Sequence, residues 1–249
     1  MRRVLVLVAG GVLMVAAGCM PPPPPPPPPP AAAAGMDLPG TTGSYAGSPD
    51  SAQLSVTGDI DIRAYIAPDD WTPAADQVLV GKWNTSGTER SWAFQLVHST
   101  GELKITWSPD GAAVMTASSG AAPAGVVDGQ PEWVRVTVDE DNGSGLRVTD
   151  FFASSDGITW TQFGQDTGMN LSPFHDSGSQ VEIGSYNNGA SFNFAGVVYR
   201  VEIRDGIDAT EVASPDFRTD PADVTQRQFT DAQGNVWTLS GGATLVPAT

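Results

Sequence analysis

From about Leu54 onward the hydrophobic pattern along the chain repeats every second residue. Ile60, Ile62, Ala64 and Ile66 alternate with Asp59, Asp61, Arg63 and Tyr65. Trp92, Phe94 and Leu96 share one parity, as do Leu103, Ile105 and Trp107, and then Val134, Val136 and Val138. Further on, Val197, Tyr199, Val201 and Ile203 alternate with Val198, Arg200, Glu202 and Arg204. Side chains leave a strand alternately to its two faces, so this pattern predicts strands with one buried and one solvated face. No stretch carries a capped apolar stripe at helical spacing, and any helix is expected to be a single turn.

The breaks between these segments carry turn chemistry. Asp110-Gly111 divides Leu103–Trp107 from Ala112–Ala117, Asn142-Gly143 divides Val134–Val138 from Leu146–Phe152, and Asp156-Gly157 divides Phe151–Ala153 from Ile158–Phe163. Such dipeptides accept the positive φ of tight hairpins. Successive hairpins predict an antiparallel meander, which closes naturally as a sandwich or jelly roll. Ile105–Gly111 and Phe152–Gly157 echo each other through Ser, Asp and Gly, which is read as shared hairpin chemistry.

Ahead of this body the pattern changes. Arg2 and Arg3 precede an apolar run from Val4 to Val15, and Ala16-Ala17-Gly18 follow, which is the layout of a secretory leader. Ala16-Ala17-Gly18-Cys19 resembles the bacterial lipobox, with Ala16 where Leu is preferred. That resemblance implies cleavage before Cys19 and acylation of its thiol, giving a lipid-anchored protein at a bacterial cell surface, with secretion as the alternative. Pro21–Pro30 is unbroken proline, which lacks N–H groups and holds φ fixed, so it is expected to stand as a polyproline II rod of about 30 Å. The organisation expected is a leader over 1–18, a lipid anchor and Pro/Ala/Gly linker over 19–43, and a sandwich over 44–249.

Charge narrows the partners. There are 12 basic residues against 28 acidic ones, for a net charge of −16. A surface this acidic repels phosphate backbones, which argues against nucleic acid. Cys19 is the single cysteine, so neither an intramolecular disulfide nor a cysteine-based zinc site is available.

Thr57–Arg63, Phe151–Trp160, Val181–Tyr186 and Gly196–Gly206 together resemble laminin-G-like (LamG-like) domains of the concanavalin A-like lectin/glucanase superfamily. The nearest likeness is to bacterial and actinobacteriophage LamG-like proteins, including phage minor tail proteins. The resemblance covers roughly residues 38–249. It implies an all-β, concanavalin A-like antiparallel sandwich with paired terminal strands, which would be Leu54–Val56 and Val236–Leu239 here.

Catalytic patterns are absent from the sequence. Glycanases on this fold use Glu-x-Asp-x-x-Glu on one strand, and that spacing does not occur. Only His98 and His175 could serve a hydrolase triad, and no Gly-x-Ser-x-Gly elbow accompanies them. Ser154–Trp160 approaches the Asp-box of sialidases but is one residue short, and reads as a hairpin turn. Calcium is the cofactor to weigh, with Asp69, Asp70, Asp139 and Asp141 as candidate ligands. Sugar binding needs an aromatic plane beside amides or carboxylates. Trp71, Trp83 with Asn84, and Tyr186 with Asn187 and Asn188 fit by type. The expectation is a non-enzymatic surface-displayed module that binds a glycan or a surface protein. A virion component, acting in assembly or host adhesion, is the alternative. A glycan-processing enzyme would need an unfamiliar catalytic pattern.

Overall fold

A computed structural model of the chain describes residues 31–169 and 171–248. The leader, Cys19 and the proline tract lie outside the described residues. Two antiparallel sheets face each other. The first contains β1 (Ala33–Pro39), β3 (Ile60–Pro68), β8 (Glu132–Asp139), β9 (Arg147–Ser154), β10 (Thr161–Gly168), β12 (Ala195–Asp205), β13 (Thr210–Ala213) and β16 (Thr244–Pro247). The second contains β2 (Tyr45–Ser48), β4 (Gln77–Asn84), β5 (Glu89–Leu96), β6 (Leu103–Trp107), β7 (Met115–Ser118), β11 (Val181–Ile183), β14 (Gln228–Thr230) and β15 (Val236–Ser240). The strand orders are β10-β9-β8-β3-β12-β1-β16, with β13 beside β12, and β14-β15-β2-β11-β4-β5-β6-β7. This is the all-β sandwich that the alternation predicts.

The core forms where the parity places it. Ile60, Ile62, Ala64 and Ile66 of β3, Trp92, Phe94 and Leu96 of β5, and Val134, Val136 and Val138 of β8 are fully buried in one cluster between the sheets. Each of the larger aliphatic side chains among these contributes about 1.5–3 kcal/mol through burial. The three expected hairpins appear as the β6–β7, β8–β9 and β9–β10 pairs. The sequence echo is a repeated turn. Asp110 accepts from the Ala112 and Ala113 amides at 2.9 and 2.7 Å, and Asp156 from the Ile158 and Thr159 amides at 2.8 and 2.7 Å. Ser108 and Ser154 each donate a hydroxyl to the aspartate two residues on. The Asp-box-like stretch is therefore a hairpin turn, and its bonds hold the exposed Asp156 carboxyl down at about 2. The helical content among the described residues is one 3-10 turn, Ala52–Leu54.

Three expectations change. The terminal strands do pair, but they are β1 and β16, while Leu54–Val56 forms no strand. Val236–Leu239 instead joins β2 and β14 within the other sheet. The linker is also shorter than 19–43, because Ala33–Pro39 lies inside the first sheet between β12 and β16. Its signal is faint: Met36 and Leu38 are its only large apolar residues. In β12 a bulge between Val198 and Arg200 breaks the alternation. Val198, Val201 and Ile203 therefore point into the core, and Val197 and Tyr199 do not.

Gly196 is needed where β12 starts. Its φ is +137°, and a Cβ there would lie 2.3 Å from the Ala67 carbonyl oxygen. Gly196→Ala is expected to destabilise the domain by more than ~1 kcal/mol, read as a lowered thermal midpoint.

Candidate ligand-binding groove

A second, smaller apolar cluster lies on the outer face of the second sheet and comprises Val78, Trp83, Ala93 and Tyr186. Ala93 and Gln95 alternate with the core residues of β5, which sets their side chains outward. β4 carries two bulges, between Val78 and Val80 and between Lys82 and Trp83. Bulges re-aim side chains, and here Val78 and Trp83 turn away from the core their neighbours Leu79 and Val80 occupy.

Over this cluster lies a groove of about 310 Å³. Gln95 and Thr106 line it, and the Thr106 hydroxyl donates to the Gln95 amide oxygen at 2.8 Å. Its aromatic wall runs through three rings. Trp83 and Tyr186 stand 6.2 Å apart between centroids, and Tyr186 and Phe192 stand 5.2 Å apart. Phe192 is the open ring, 43% exposed, whereas Trp83 and Tyr186 are mostly covered. Phe192 and Asp76 also line an adjoining hollow of about 570 Å³.

Asp76 closes one end. Its carboxylate holds the Lys104 ammonium, the His98 amide and, at 2.6 Å, the His98 ring Nδ1. Burial pushes the Asp76 carboxyl up, but those three partners outweigh it and bring it to about 2. The Tyr186 phenol is raised to about 12, by burial first and then by the Asp76 charge, with Arg90 opposing. It is therefore a neutral hydroxyl at ordinary pH. Arg90 stands directly across from Trp83 in the β4–β5 register.

The wall is built on a strained but braced loop. Asn187, Asn188 and Phe192 take φ of 60°, 58° and 55°, which non-glycine residues rarely adopt. Glu182, 2% exposed, accepts from the Asn188 amide at 2.7 Å, the Gly189 amide at 2.9 Å and the Ser185 hydroxyl at 2.9 Å. Asn187 accepts from the Thr85 amide at 2.6 Å and donates to Ser191 at 3.0 Å. The Val78 amide donates to the Phe192 carbonyl at 2.8 Å. These bonds hold a conformation that would otherwise relax, so the wall is shaped before any ligand arrives.

The sequence candidates divide accordingly. Trp83 and Tyr186 line the groove. Asn84 and Asn188 line a separate polar hollow of about 380 Å³, which has no aromatic ring and whose Glu182 carboxylate is already bonded. Both side-chain ends of Asn187 are occupied in bracing the loop. Trp71 is not a binding plane. It is 3% exposed in the main core, and its indole N–H donates to the Val127 carbonyl at 3.2 Å. Phe192, the most open ring of the groove, was not singled out by the sequence.

The calcium candidates do not converge. Asp69 follows the last residue of β3, and Asp139 sits beside its first residue, Ile60, whose partner is Val138. The nine-residue strand separates them by about 30 Å at ~3.3 Å per residue. Asp70 caps the Thr72 amide, and Asp141 caps the Gly143 and Gly145 amides. Among the described residues no group of three or more His, Cys, Asp or Glu side chains is placed to hold a metal ion.

A scan against protein-family models and a search of curated proteins both return no match. Among solved structures, the chain is similar to the CBM40 of a Ruminococcus gnavus IT-sialidase bound to α2,3 sialyllactose. The identity is 13% and the TM-score 0.49, over 70% of this chain and 94% of the other. It is similar to a heptameric SAP-like pentraxin from Limulus polyphemus at 14% identity and TM-score 0.49, over 82% and 94%. It is similar to mouse laminin α1 domains LG4-5 at 13% identity and TM-score 0.47, over 80% and 50%. With TM-scores below 0.5, these likenesses concern architecture, and the groove of this chain is what bears on what it binds.

Proposed function

We propose that the chain is a non-enzymatic module displayed at a bacterial cell surface, where it binds a glycan in the groove on the outer face of its second sheet. The observation that carries this is the open ring of Phe192, backed by the mostly covered rings of Tyr186 and Trp83, beside the amide and hydroxyl of Gln95 and Thr106. A sugar offers an apolar face to a ring and hydroxyls to amide and hydroxyl partners, and this wall and floor offer both. The leader-like sequence, Cys19 and the proline tract support display on a surface over assembly within a virion.

The test is binding of the full chain to a broad glycan panel, followed by Phe192→Ala. Phe192 is already half-open, so its loss leaves the fold nearly intact. Affinity for the bound glycan is expected to fall about tenfold, or ~1.4 kcal/mol. A panel with no bound glycan, or a Phe192→Ala variant with unchanged affinity, overturns the reading and directs the search to a surface protein.

A further inference from the structure

Charge in the groove is distributed unlike charge on the rest of the chain. Of the described lysines and arginines, all but Arg90 and Arg227 are paired with a carboxylate. Arg227 is a clamp, donating to the Ala243, Leu239 and Gly241 carbonyls around the turn after β15. Arg90 differs in lining the groove. Its Nη1 donates to the Ala112 carbonyl at 2.8 Å and its Nη2 to the Thr85 carbonyl at 3.4 Å. Main-chain carbonyls orient a guanidinium without neutralising it. The other groove cation, Lys104, is matched by Asp76. The groove therefore holds one uncompensated positive charge on a chain whose net charge is −16.

That charge sits beside the stacking surface. Arg90 faces Trp83 across the β4–β5 pair, and the Tyr186 phenol lies within range of its field. A cation here disfavours a metal ion and favours an anionic ligand group. In a partly covered groove, a hydrogen bond between a guanidinium and an anion is about twice as strong as a neutral one. The acidic surface repels anions at long range, so selection must come from contact at this point.

Resting on the glycan reading above, we infer that the groove selects glycans bearing an anionic group, a carboxylate or a sulfate, set against Arg90 while a sugar ring lies on Phe192.

The experiment is calorimetric titration of the full chain with polygalacturonate and its fully methyl-esterified form, and with dextran sulfate and dextran. At least one acidic polymer is expected to bind tenfold or more tightly than its neutral counterpart, and the pair that shows the preference tells carboxylate from sulfate. Arg90→Ala is expected to abolish the preference, and Arg90→Lys to keep part of it. Arg90→Gln gives the same reading where Arg90→Ala lowers the thermal midpoint. Neutral and acidic polymers binding alike through Phe192 would overturn this inference and leave the glycan reading standing. So would a preference that survives Arg90→Ala and Arg90→Gln. No binding to any polymer, on a panel where no other glycan binds, would overturn both.

Discussion

Replacing Asp61 by alanine is expected to destabilise the domain by about 3–5 kcal/mol, the range for breaking a buried ion pair from one side. On the outer face of the first sheet, Arg63 of β3 and Arg135 of β8 are directly opposite in register. Like charges so placed repel each other. Asp61 separates them. Its side chain is fully buried, and it accepts from Arg63 at 3.1 and 2.7 Å, from Arg135 at 2.9 and 2.8 Å, and from the Asp208 amide at 3.1 Å. Trp160 packs over both guanidiniums, at 5.5 and 5.6 Å from its ring centroid. Without the carboxylate two covered cations face each other, with the exposed Asp208 as their remaining shared partner. Urea denaturation followed by tryptophan fluorescence measures the loss. A loss under ~1 kcal/mol would mean that Asp208 and solvent suffice.

The pH dependence of that loss has a definite sign. Burial pushes the Asp61 carboxyl up, but the hydrogen bonds and charges of Arg63 and Arg135 outweigh it and hold it below its ordinary 3.8. A carboxyl whose folded value lies below its unfolded one adds stability above the unfolded value and loses it as pH falls through the folded one. The difference between the native chain and Asp61→Ala should therefore be flat from neutral pH to about pH 4 and shrink below it.

This network also marks how far the sequence could be read. Alternation exposes which residues of β3 and β8 face the core, and the buried rows of Ile60–Ile66 and Val134–Val138 follow from it. It assigns the other parity to solvent, and there it is wrong for Asp61, which is as buried as its apolar neighbours. What surrounds it are the guanidiniums of Arg63 and Arg135 and the Asp208 amide, the last two far along the chain. The groove is legible to a similar degree. Trp83 and Tyr186 stand out as aromatics beside amides. Their outward aim depends on the bulges of β4, and an extra residue in a strand leaves no mark in a hydrophobic pattern. Phe192 was missed because its exposure follows from a left-handed backbone at the residue itself, three positions past the Asn188-Gly189 dipeptide, and Ser191-Phe192 carries no turn signal of its own. Trp71 misled for the opposite reason. Asp69 and Asp70 before it suggest a wet loop, yet the indole turns inward and finds Val127.

Glu182→Gln probes the link between that hidden geometry and binding. The two amides of Asn188 and Gly189 and the Ser185 hydroxyl all donate to this carboxylate. A glutamine keeps the shape but turns one acceptor into an N–H₂ that meets a donor head-on. The expected loss of stability is about 2–3 kcal/mol, as for removing one side of a buried charged hydrogen bond. The larger consequence is functional. Asn187, Asn188 and Phe192 hold left-handed φ values because their surroundings fix them, and release of one fixing point lets the Tyr186–Phe192 wall fluctuate. A groove that must be ordered by its ligand binds more weakly, so affinity for the proposed glycan ligand should fall tenfold or more although Glu182 need not touch it. Hydrogen exchange separates this from a simple loss of stability. The Asn188 and Gly189 amides should lose protection in the variant while core amides such as those of β3 and β8 keep theirs. Uniform loss of protection would place Glu182 in the global stability of the sandwich, and intact binding would show that the wall keeps its shape without it.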